Sequence, residues 1–241
     1  MRFIPWGDLE SWDHLSTTLS TWEPSLRVLR GESWERLYDP DGTLYAICVL
    51  GNATVSSHKR DQSIGPGDVV VVPPGIGFEV EPAARFLGIV SLGPIPYHFR
   101  ERFYQLWGFE HFPASAGLGR DQAYHRVAVQ VIDLDRPPEL VLKTGPWEVD
   151  LLVALEAPVT FRSLSGSETL REGGECVVCV APATPYWLNA RDHAGPGRSS
   201  PRVVRVSLWP NFEQETRLAR QFSQEDQPPS PEAAIPSRPN P

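Results

Sequence analysis

Short apolar runs separated by Gly, Pro, Asp and Asn dominate the pattern of this chain. In the first half, residues 25–30, 33–38, 43–50, 53–57, 69–72, 78–80 and 85–91 read as strands. In the second, residues 126–133, 139–143, 147–155, 159–163, 176–180, 186–189 and 202–208 do so. They are short and bounded by turn chemistry such as Pro40-Asp41-Gly42 and Gly65-Pro66-Gly67. Helical spacing is rarer. One helix is expected over residues 8–20. Another is expected over 95–108, where Pro96 suits a first turn, Phe99, Phe103 and Leu106 share a face, and Gly108 is a cap. A third opens at Asn211 with Gln214 three residues on, a capping-box pattern, and covers 211–222.

The pattern repeats. YAICVLGNATV at 45–55 has its counterpart in LLVALEAPVTF at 151–161. GPGDVVVVPPGIGFEV at 65–80 matches EGGECVVCVAPATPYWL at 172–188, and both halves close on a strand ending SLGP (91–94) or SLWP (207–210). Two strand-rich repeats, each ending in a helix, imply two barrels or sandwiches and not one open sheet. The expected boundary lies near residues 109–122, where periodicity is lost. The expected domains are therefore 1–111 and 112–223, followed by a Pro-rich tail, 224–241, too poor in apolar residues to fold.

Composition narrows the function classes. The chain has 241 residues, 41% hydrophobic and 22% charged, which suits a globular protein. A net charge of −8, with no basic arm or helix-turn-helix pattern, argues against nucleic-acid binding. There is no apolar run of about 18 residues to span a membrane. The opening MRFIPWGDLE has no apolar core of a signal peptide. Three cysteines, an odd and small number, then suggest a reduced, cytoplasmic protein. Cys176 and Cys179 lie three apart in an expected strand, on opposite faces, so they should not chelate together. The six histidines are scattered and read as surface or interface residues, and SHKRDQ at 57–62 reads as a solvated hairpin tip.

At residues 65–80 the sequence resembles the second motif of the cupin superfamily: Gly67, Pro73 and Gly75 fall on its Gly, Pro and Gly. The resemblance implies an all-β bicupin, with two tandem RmlC-like jelly-roll barrels over roughly residues 25–210, each followed by a short closing helix. It also implies a metal held by three His and one Glu. Here the motif-two His position is Phe78 in the first half and Tyr186 in the second. The Glu position is Leu44 in the first and Asp150 in the second. The first-half His pair would be Tyr38 and Pro40, or Leu37 and Asp39; the second-half pair Thr144 and Pro146, or Lys143 and Gly145. None is His, and no His-X-His occurs, so the expectation is a metal-free bicupin without a cofactor.

The first barrel, with Leu44 and Phe78 inside, is expected to be filled. The second offers a candidate ligand pocket of Asp150, Tyr186, Lys143, Arg162, Trp147 and Trp187, suited to a polar or sugar-like molecule. A filled interior is the competing reading, and no residue is assigned a catalytic role. The functional expectation is small-molecule binding or a structural, assembly role. The alternative is a metal-free isomerase, epimerase or lyase using Asp150 as base and Tyr186 as acid. The resemblance also implies a homodimer through sheet edges.

Overall fold

The protein, a computed structural model, is described over residues 2–32, 34–57, 61–81, 84–92, 108–119, 126–135, 139–190 and 200–210. Numbered in chain order, its strands form four antiparallel sheets. One five-stranded sheet runs β10 (Glu110–Phe112), β7 (Val69–Val72), β4 (Gly42–Leu50), β9 (Arg85–Leu92), β2 (Leu26–Glu32). Against it lies a four-stranded sheet of β3 (Arg36–Leu37), β8 (Phe78–Val80), β5 (Ala53–Ser56) and β6 (Asp61–Ile64). The second half repeats the plan. Its five-stranded sheet runs β1 (Arg2–Pro5), β16 (Cys176–Val180), β13 (Val149–Ala154), β18 (Arg202–Leu208), β11 (Val127–Asp133). Its four-stranded sheet runs β12 (Glu139–Lys143), β17 (Pro185–Asn189), β14 (Val159–Ser163), β15 (Gly166–Leu170).

Three apolar cores hold these sheets. Leu44, Ala46 and Cys48 of β4 face Leu37, Val55 and Phe78 of the first four-stranded sheet. Leu152, Val178 and Val203 face Phe161, Tyr186 and Leu188 in the second half. The third core joins the two five-stranded sheets back to back: Tyr45, Ile47 and Val49 from one, Leu151, Val153 and Val204 from the other. This explains why β4 from Leu44 and β13 from Leu151 are apolar without alternation. Both strands are covered on both faces, so every position rewards an apolar side chain.

The only helix among the described residues is α1 (Leu9–Trp22), close to the expected 8–20. Asp8 is its N-cap, accepting from the Ser11 N–H, and the serine bond holds the Asp8 carboxyl below its usual value. Trp12, Leu15 and Leu19 bury into the central core. The helices expected over 95–108 and 211–222, the tail at 224–241, and His58, His98, His125 and His193 lie outside the described residues.

Four strands carry no clear signal in the sequence. β6 and β15 are polar hairpin returns. β1 and β10 matter more: β1 crosses from the start of the first half to pair with β16 in the second, and β10, from the aperiodic stretch 109–122, closes the edge of the first five-stranded sheet by pairing with β7. β10 is pinned by Asp68, whose Oδ1 accepts the Ala114 N–H at 2.7 Å and whose Oδ2 lies 3.2 Å from His111 Nε2. Cys176 packs on the second-half core and Cys179 on the central one, so the two thiols do face opposite ways. Burial pushes the Cys179 thiol up to about 11 and Cys48 up to about 12.

Candidate functional site

β18 alternates its side chains between two cores. Val204, Val206 and Leu208 face the central core, while Val203 faces the interior of the second half, the side Arg205 and Ser207 share by strand parity. Ser207 lies directly across from Asp150 on β13. Tyr186 reaches the same point from the opposite sheet.

Three of these side chains bond to the Asp150 carboxylate. The Tyr186 hydroxyl donates to Asp150 Oδ2 at 2.7 Å, Arg205 Nε donates to the same oxygen at 2.9 Å, and Ser207 Oγ donates to Oδ1 at 2.6 Å. Arg205 Nη2 then reaches Glu148 Oε1 at 2.8 Å, and Glu148 Oε2 accepts the Gly145 N–H at 2.9 Å, closing the turn before β13. Asp150 and Tyr186 have no exposed surface. Burial pushes the Asp150 carboxyl above its ordinary value, against the pull of Ser207, Arg205 and Tyr186, which favour the carboxylate. Burial and the Asp150 charge push the Tyr186 phenol far up, so it stays a donor. Burial disfavours the Arg205 charge, but Tyr186, Asp150 and Glu148 more than offset this and the net shift is upward.

The sequence places Asp150 and Tyr186 together, and the structure does bring them into contact. Both are fully buried there. The other four candidates lie elsewhere. Lys143 and Arg162 are exposed, and Arg162 is paired across the ladder with half-buried Trp187. Strand alternation turns that pair to the face opposite Tyr186. Trp147 is an exposed turn residue before β13.

A cleft of about 500 Å³ opens beside the cluster. Arg205, Ser207, Glu148, Gln130 and Trp209 line it, with the segment Ala114–Gly119 forming another wall. Leu118 bridges to Val129 and holds that segment against β11. Gly117 there has φ +62, and a Cβ would stand 2.6 Å from the Val129 carbonyl oxygen, so the close approach requires glycine. Arg205 Nη1 makes no bond to a described residue. Sequence reasoning missed Arg205, Ser207 and Gln130. Their signal is parity: each interrupts an apolar strand at an inward position.

The metal that the resemblance implies does not fit this donor set. Both oxygens of Asp150 already accept hydrogen bonds, and the positive charge beside it is a guanidinium. In the first half Leu44 and Phe78 sit in an apolar core. Among the described residues no three His, Cys, Asp or Glu side chains converge.

No protein-family model and no curated protein matches the sequence. Solved structures do match the fold. An HEPD from Streptomyces albus, with 2-hydroxyethylphosphonate and Fe(II) bound, is 11% identical, with a TM-score of 0.51 over 85% of this chain and 72% of that one. Protein Ylba from E. coli is 8% identical, with a TM-score of 0.51 over 76% and 83% of the two chains. Procruciferin, an 11S globulin from Brassica napus, is 11% identical, with a TM-score of 0.50 over 83% and 79%. At these identities the likeness shows the fold alone, and the fold is that of the cupin superfamily.

Proposed function

We propose that this cupin-fold protein binds a neutral, hydroxylated small molecule in the cleft of its second half. The observation that carries this reading is the state of the cleft wall. Its guanidinium and its carboxylate, Arg205 and Glu148, are paired with each other at 2.8 Å. An ionic ligand of either sign would have to compete with that pair. What the wall does offer is alternating donors and acceptors: Arg205 Nη1, the Ser207 hydroxyl and the Gln130 amide, beside the Trp209 indole. Vicinal hydroxyls and an apolar sugar face suit that arrangement. The fold does not choose among functions, since one fold hosts many chemistries. The first half supports the second and binds nothing in its interior, in keeping with its apolar core.

Ligand-observed NMR on the intact protein tests this, using four panels: monosaccharides and polyols, sugar phosphates, carboxylates, and amines. The expected result is saturation transfer to the neutral panel, lost in Gln130→Ala. Preference for phosphates, carboxylates or amines would overturn the assignment of ligand charge. Silence across all four panels would overturn the binding reading.

A further inference from the structure

The two halves differ most at the place where the second half opens its cleft. There Gln130 of β11 pairs with Arg205 of β18, and Arg205 lies across from Leu152 of β13. The matching ladder of the first half pairs Leu29 with Gly88, and Gly88 with Ala46 of β4. Two residues before Ala46 and Leu152, Leu44 stands where the second half has Asp150. Leu29, Gly88 and Leu44 thus replace the polar trio Gln130, Arg205 and Asp150. We propose that this place is a second ligand site, for a planar apolar aromatic molecule, and that the indole of Trp34 fills it and holds it shut.

Three observations carry the assignment. The first is the floor of the site. Gly31 on β2 pairs with Phe86 on β9, so Gly31 and Gly88 are diagonal neighbours on adjacent strands. A Cβ on Gly31 would stand 2.2 Å from Trp34 Cε2, and one on Gly88 would stand 2.7 Å from Trp34 Cη2. Neither fits beneath the indole. Two strands therefore give up their side chains at adjoining points to seat one flat ring.

The second is the chemistry of the walls. Phe86 lies parallel to the Trp34 ring, at 6° and 5.8 Å between centroids. Leu29 and Trp34 both pack on the first-half core, which contains Leu44 and Phe86. A slot with a flat floor, an aromatic ring and two leucines suits an apolar ring, whereas the cleft of the second half is polar.

The third is how the indole is held. The Trp12 N–H donates to the Pro5 carbonyl at 3.2 Å. The Trp34 N–H donates to no described residue, and its side chain is only partly buried. Packing alone seats it, and a free indole makes the same contacts.

Thermal melts of the full chain, with and without indole, are the test. Trp34→Ala is expected to melt lower than the wild type. Indole raises the melt of Trp34→Ala and leaves the wild type unmoved, because its site is full. If Trp34→Ala does not fold alone, indole restores its circular dichroism. Adding Gly88→Ala to Trp34→Ala removes the response, since the new methyl group stands on the floor. A second measurement needs no ligand. Gly88→Ala lowers the melt of the wild type by displacing the indole. In Trp34→Ala the nearest atoms to that Cβ are Leu29 Cβ at 3.3 Å and Leu44 Cδ1 at 3.4 Å, so the loss shrinks by at least about half. Indole that moves neither protein, or both alike, or Gly88→Ala losses that simply add, would overturn the proposal. It is independent of the second-half cleft, whose ligand test reads a different site.

Discussion

Asp150 and Arg205 stand diagonally across the β13–β18 ladder, and the guanidinium Nε donates to the carboxylate Oδ2 at 2.9 Å. The carboxyl is fully buried, so two opposed effects act on one proton. Burial pushes its pKa up; the guanidinium and two hydroxyls pull it down.

Burial prevails, and this gives a signed dependence on pH. The folded protein keeps the Asp150 proton to higher pH than the unfolded chain, whose Asp titrates at about 3.9. The associated stability is fully present below that value and is lost as pH rises through the raised one. Asp150→Asn removes this titration. Its cost, from urea unfolding of both proteins, should be greatest near about pH 4 and shrink as pH rises above it. A cost that grows with pH would mean that pairing with Arg205 outweighs burial.

Gly67 and Gly174 occupy matching places in the two repeats, and each faces the other half. Gly67 has φ +94 and a Cβ there would stand 2.8 Å from Val131 Cγ2; Gly174 has φ +65 and would meet Val49 Cγ2 at 2.9 Å. Alanine at either is expected to cost roughly 1–3 kcal/mol, from strain plus displacement of the facing strand. Gly7, with open space around it, is the control and should stay within about 0.5 kcal/mol. Denaturant midpoints for the three variants check this.

β1 closes the edge of β16 and buries Ile4 completely, while Trp6 just beyond it is 2% exposed and stacks edge-on with Trp12 at 5.1 Å. Removing residues 1–6 should cost roughly 3–6 kcal/mol from these two side chains and leave a bare edge. A markedly lower melting temperature with growing light scatter is expected. A truncated protein that melts like the intact one would show that β1 contributes little.

The sequence by itself determined the all-β class, most strand positions and helix α1, because strand alternation and turn chemistry are local signals. Gly67, Pro73 and Gly75 marked the fold for the same reason. It also determined that Asp150 and Tyr186 belong together, since the repeat aligns them with one interior. Only the tertiary structure decided what surrounds them. Arg205 and Ser207 reach Asp150 through the β13–β18 register, across 55 and 57 residues of sequence. Lys143, Arg162 and Trp187 were placed by sheet parity on the opposite face, which local spacing does not reveal across strands. The crossing of β1 to β16 and the docking of β10 on β7 were likewise invisible: strands of four and three residues are too short for periodicity, and their pairing is made by backbone groups that every residue carries.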